Sequence, residues 1–140
     1  MNIKRLVSTV LVVICVFSLL VPASATEMRA SDRIASCVGT LSRDSNGVLK
    51  ASYTTWATDT MEQVGASKIA IQWQVGSRWI TEYTFTLEDT PALVGKNCSI
   101  YSGTASYVPY HASSKYRAVI DFYAKDNSGE STIQRETNKV

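Results

Sequence analysis

The chain reads as an all-β fold in which two antiparallel sheets, built from about seven short strands, pack face to face as a sandwich. Three observations predict this. Apolar residues recur at every second position through most of the chain, turn-forming clusters interrupt them about every dozen residues, and no convincing helical spacing follows residue 25. A closed barrel is the alternative that strand number alone leaves open.

Residues 1–25 read as a cleaved signal helix. Lys4 and Arg5 precede an apolar run, Leu6 to Val21, and the small residues of Pro22-Ala23-Ser24-Ala25 supply a cleavage site. A run of sixteen residues falls short of the roughly 20 that span a bilayer, so no membrane anchor is expected after cleavage and the product is predicted to be secreted. Residues 26–33 are a polar extended leader, and residues 34–140 form the β-domain.

The domain's elements follow in order. Ala35, Cys37, Gly39 and Leu41 alternate with Ser36, Val38 and Thr40, and Asp44-Ser45-Asn46-Gly47 supplies a hairpin turn. In the next strand Leu49, Ala51, Tyr53 and Thr55 share one face, and Trp56 falls on the other. Asp59 to Ala66 is predicted to be a loop, because Gly65 stops any helix after less than two turns. Ile69, Ile71, Trp73 and Val75 make the clearest strand, followed by Trp79, Thr81, Tyr83, Phe85 and Leu87. A three-residue loop, setting Val75 opposite Trp79, keeps those two apolar sets together. Pro91 and Gly95 mark a connection, Cys98 to Val108 a softer strand broken at Gly103, and Pro109 to Ser114 a turn. Tyr116, Ala118, Ile120, Phe122 and Ala124 share a face of a further well-patterned strand, with Tyr123 on its solvent side. A polar last strand, Glu130 to Val140, suits a sheet edge.

Cleavage of the signal takes away Lys4 and Arg5 and leaves 12 basic against 12 acidic residues, so the mature chain is expected to be neutral. A neutral, mixed surface gives no electrostatic footprint for nucleic acid or an anionic membrane. Cys15 leaves as well, and Cys37 and Cys98, in an oxidising compartment, are expected to form one disulfide. Closing that loop of about 60 residues is worth roughly 4 kcal/mol in the chain-entropy model.

The strand Lys115-Tyr116-Arg117-Ala118-Val119-Ile120-Asp121-Phe122-Tyr123-Ala124, with its Asp126-Asn127-Ser128-Gly129 turn, resembles the penultimate strand of immunoglobulin-like and fibronectin type III-like domains. The resemblance implies a structural role for Tyr116, whose hydroxyl would bond a nearby backbone group. Ala118 stands where an antibody-type domain would carry cysteine. Ser67-Lys68-Ile69-Ala70-Ile71-Gln72-Trp73-Gln74, with Trp79, an early cysteine and the late Tyr-Arg strand, is similar to a family of uncharacterised small exported proteins of Gram-positive bacteria. That likeness implies a fold and no activity.

Candidate sites are few. His111 lacks a nucleophile elbow nearby and reads as a surface histidine. Asp126 to Glu130 lacks the alternating acids of a calcium loop and reads as a hairpin turn, so neither a metal nor another cofactor is expected. Trp73 is assigned to the core, and Trp56, Tyr123 and Tyr110 are the candidate ligand-binding aromatics. Tyr101, Tyr107 and Tyr110 together suit a protein-binding patch. The expected function is non-catalytic binding of an extracellular protein or polysaccharide, with a carbohydrate-binding module or a small secreted toxin or bacteriocin as alternatives.

Overall fold

The computed structural model describes residues 32–140, so the predicted signal helix and all but the end of the leader lie outside the described residues. Six antiparallel strands form the described chain: β1 (Ile34–Arg43), β2 (Leu49–Val75), β3 (Arg78–Thr86), β4 (Val94–Tyr107), β5 (Tyr116–Asp126) and β6 (Gly129–Glu136). A single 3-10 turn, Pro91–Leu93, precedes β4. No helix among the described residues is long and apolar enough to cross a membrane.

The organising element is β2, whose 27 residues replace two predicted strands and the loop between them. Its first part, Leu49 to Trp56, lies between β1 and β4, and its last part, Lys68 to Trp73, lies between β3 and β5. Asp59 to Ala66 is therefore strand rather than loop. Register shifts near residues 57–61 and at Ser67 bend it. The bend is sharp: Thr55 Oγ1 donates to Gly65 O at 2.8 Å, although ten residues of straight strand would separate them by about 33 Å. That bond also satisfies the one buried polar residue of the core among the described residues, Thr55.

The alternation read from the sequence sets the core. Leu49, Ala51, Tyr53 and Thr55 of β2, Ile69 and Ile71 farther along it, and Tyr116, Ala118, Ile120, Phe122 and Ala124 of β5 are all buried. Full burial of each large aliphatic or phenyl group is worth about 1.5–3 kcal/mol relative to exposure. β1 covers β5 closely enough that a methyl group on Gly39 would lie 2.6 Å from Ile120 Cδ1.

Two turns differ from expectation. At Asp44–Gly47 the Asp44 carboxylate accepts from the N–H groups of Asn46 and Val48, so positive φ is needed at Gly47 alone, not at Asn46 as well. Between β2 and β3 the loop has two residues, Gly76 and Ser77, and Val75 faces Arg78 rather than Trp79. Gly76, at φ 63°, suits a tight turn whose twist matches the strands. The register this costs is recovered downstream, where Gln72 faces Thr81 and Ile71 faces Tyr83, leaving Glu82 as a bulge. Trp79 thereby lies on the outer surface beneath the Arg117 guanidinium, 4.5 Å from its ring centroid.

The strand order β1-β2-β5-β6 turns back on itself. Beyond β6, Thr137 and Val140 continue backbone pairing with β5. Asn138 then joins β1: Leu41 N–H donates to its Oδ1 at 2.9 Å, and its Nδ2 donates to Leu41 O at 2.8 Å. A side-chain amide here replaces one rung of backbone ladder.

Cys37 and Cys98 are free, a correction to the expected disulfide. Cys37 lies opposite Thr55 on one edge of β2 and Cys98 opposite Met61 on the other. With β2 between the strands that carry them, and partners six residues apart along it, the two thiols are not brought into bonding contact. Compartment and cysteine number imply a pair, whereas strand order decides distance. Burial pushes the Cys37 thiol up, partly offset by Arg135. Native protein should expose two thiols to a disulfide reagent, with Cys37 reacting more slowly near neutral pH; a chain two hydrogens lighter than its reduced form would overturn this separation.

Candidate functional site

The bulge in β3 turns Glu82 inward, and its side chain is only 6% exposed. A carboxylate so placed must find donors, and four groups converge on it. Tyr116 Oη donates to it at 3.0 Å, Tyr110 N–H at 3.2 Å, and His111 Nδ1 lies 2.7 Å from Oε1. Tyr107 Oη, buried beside it without full hydrogen-bond geometry, is the fourth. Burial acts to raise the Glu82 pKa, but His111, the Tyr110 amide and the two tyrosine hydroxyls together hold it below the usual carboxylate range.

The consequences spread to both neighbours. Burial and then Glu82 push the Tyr107 hydroxyl well above its ordinary value. Since an ionised carboxylate only accepts, His111 carries its proton on Nδ1, and Nε2 is the acceptor in the neutral ring. The imidazole stacks on Trp73 with centroids 3.6 Å apart and planes 6° from parallel. Trp73, assigned to the core by its alternation, is half-buried and forms the floor under His111. His111 N–H donates to Tyr116 Oη at 3.0 Å, so the hydroxyl accepts from the loop backbone while it donates to Glu82.

Arg43 fastens the same loop from β1, donating to Ala112 O and Ser114 O, with its guanidinium 5.5 Å from the centroid of Tyr116. Gln74 N–H donates to Lys115 O. The loop between β4 and β5 is thus tied to β1, β2 and β3, yet its tip stands in solvent: Val108 is 71% and Tyr110 82% exposed. Tyr110 meets Tyr107 edge-on, and Tyr107 stacks on Tyr83 at 5.2 Å. With Ile80 exposed on the adjoining strand, the loop end is an aromatic and aliphatic surface around a buried charge.

The other expected residues lie elsewhere. Tyr101 is remote from Tyr107 and Tyr110; it packs near Tyr53 and donates to Ala92 O. Tyr123 is buried rather than solvent-facing, its hydroxyl donates to Glu130, and burial followed by Glu130 pushes its pKa up to about 12. Asp126 forms the expected turn, accepting from Ser128, Gly129 and Arg33; the Ser128 hydroxyl and Arg33 hold it down at about 2. Trp56 stays half-exposed on the outer face, between Ser36 of β1 and Ile100 of β4. Beside it, Val38, Thr40, Ser52, Thr54, Ser102 and Thr104 line an open depression of about 340 Å³ without a charged group.

Sequence reasoning missed Glu82, because strict alternation places it opposite the apolar set and only a bulge turns it inward. A lone acid between Thr81 and Tyr83 in an otherwise uncharged strand centre was the available signal.

No protein-family model and no curated protein matches the chain. Among solved structures, the solution structure of a putative late embryogenesis abundant protein is similar at 9% identity, over 99% of this chain and 86% of that one, with a TM-score of 0.47.

Proposed function

We propose that this chain is an exported, non-catalytic β-sandwich of immunoglobulin-like type that binds a protein partner through the loop between β4 and β5. One observation carries the reading: Glu82, Arg43 and Tyr116 hold a loop rigid while Val108 and Tyr110 at its tip remain exposed. An exposed tyrosine on a pre-ordered loop offers contact area at little entropic cost, which is how protein interfaces use this residue. The rings of Tyr107 and Tyr110 lie 78° apart, an arrangement that suits a protein surface better than the flat platform a sugar requires. For the sandwich, the contact of β1 with Ile120 and Phe122 of β5 supports two packed layers joined through the bend of β2.

The test is photocrosslinking in the cells that make the protein, with a photoreactive phenylalanine in place of Tyr110 or, as control, of Trp56. A discrete adduct from position 110, absent from position 56 and lost with Glu82→Ala, is expected. Adducts from position 56 alone would overturn the reading. They would favour the second one, a neutral glycan lying in the hydroxyl-lined depression beside Trp56.

A further inference from the structure

We infer that β4 is a self-pairing edge, joining antiparallel to β4 of a second copy of this chain about a two-fold axis at Gly103. Among the described residues β4 pairs with β2 on one side and with no strand on the other. An unpaired edge presents a row of N–H and C=O groups, and proteins that stay monomeric usually guard it with charge, proline or a cover. The other edges here are guarded. β3 carries Arg78 and Glu82, β6 carries Glu130, Arg135 and Glu136, and Asn138 occupies the edge of β1. From Cys98 to Tyr107, β4 has neither a charged residue nor a proline.

The same segment is complementary to itself. On its outer face Ser102 bonds Thr54 at 2.7 Å and Thr104 bonds Ser52 at 3.1 Å, so hydroxyl pairs already bridge β4 to β2. A two-fold at Gly103 sets Ser102 of each copy opposite Thr104 of the other, extending both hydroxyl rows across the interface. On the inner face it sets Tyr101 opposite Ala105, a large residue against a small one. Ile100, 54% exposed, comes opposite Ser106 at the end of the paired segment and is partly covered. A second copy is therefore the occupant whose register the edge itself specifies. This interface is separate from the loop end, so both can operate in one molecule.

Sedimentation of the chain purified from the cells that make it, followed from micromolar to millimolar concentration, tests the inference. The mass should double, with hydrogen-exchange protection rising with concentration at Ile100 to Ser106 only. Replacing both Ser102 and Thr104 by lysine places like charges across the two-fold and should weaken association roughly tenfold or more, whereas Thr40→Lys on β1 should leave it unchanged. A chain that stays monomeric at millimolar concentration overturns the inference, as does a natively folded double variant that still dimerises. Should the double variant not fold, the wild-type exchange decides: protection confined to β3, β1 or the β4–β5 loop, or none, refutes it.

Discussion

Gly65→Ala should destabilise the fold by about 3–4 kcal/mol, combining a φ that side chains rarely adopt with overpacking against backbone. At φ 154°, an added methyl group would sit 2.2 Å from Leu93 O and 2.8 Å from Val94 Cα. Neither atom is the end of a flexible side chain. Gly65 faces Val94 on one side of β2 and Tyr123 on the other, and its carbonyl takes the Thr55 hydroxyl, so no neighbour can yield without opening the bend. Urea unfolding measures the loss. A midpoint within experimental error of wild type would show that the bend is not held by this close approach.

The second large effect concerns Glu82. Its replacement by alanine strands the Tyr116 and Tyr107 hydroxyls and the Tyr110 amide, and should cost about 3 kcal/mol. Hydrogen exchange should rise through residues 108–115 while β1 keeps its protection. Glu82→Gln retains an acceptor and should cost less, and it separates charge from shape through pH. The folded pKa of Glu82 lies below its unfolded value of about 4.3, so its stabilisation is complete above that value and disappears as pH falls through the folded pKa. The gap in stability between wild type and Glu82→Gln should accordingly be widest near neutrality and narrow on acidification. Parallel curves from pH 7 to pH 3 would contradict an ionised, hydrogen-bonded Glu82.

Much of the core was legible because alternation is a local property. The face Tyr116-Ala118-Ile120-Phe122-Ala124 needs only its own strand, and it is buried as read. The continuity of β2 was not legible. Met61, Val64, Gly65 and Ala66 are buried in a bent strand where neither a period of two nor helical spacing holds, so the segment resembles a loop in one dimension. The candidate site was hidden for a related reason. Glu82 faces inward only because a two-residue turn shifts the register and a bulge restores it, and those two irregularities compensate each other in space rather than in the pattern. Cys37 and Cys98 illustrate a third limit, since their separation depends on which strand lies between them.

The bridge from Leu41 to Asn138 also bears on when this fold can form. Its two bonds join segments near opposite ends of the described chain, and the pairing of Tyr116 with Val140 holds the second of those segments in place. A chain appearing residue by residue holds β1 long before its closing partner exists, so β1 waits with one edge open until residues 137–140 have emerged. Contacts of such sequence separation predict a slow, late and cooperative final step, and a chain that remains threadable through a narrow channel until that step is complete.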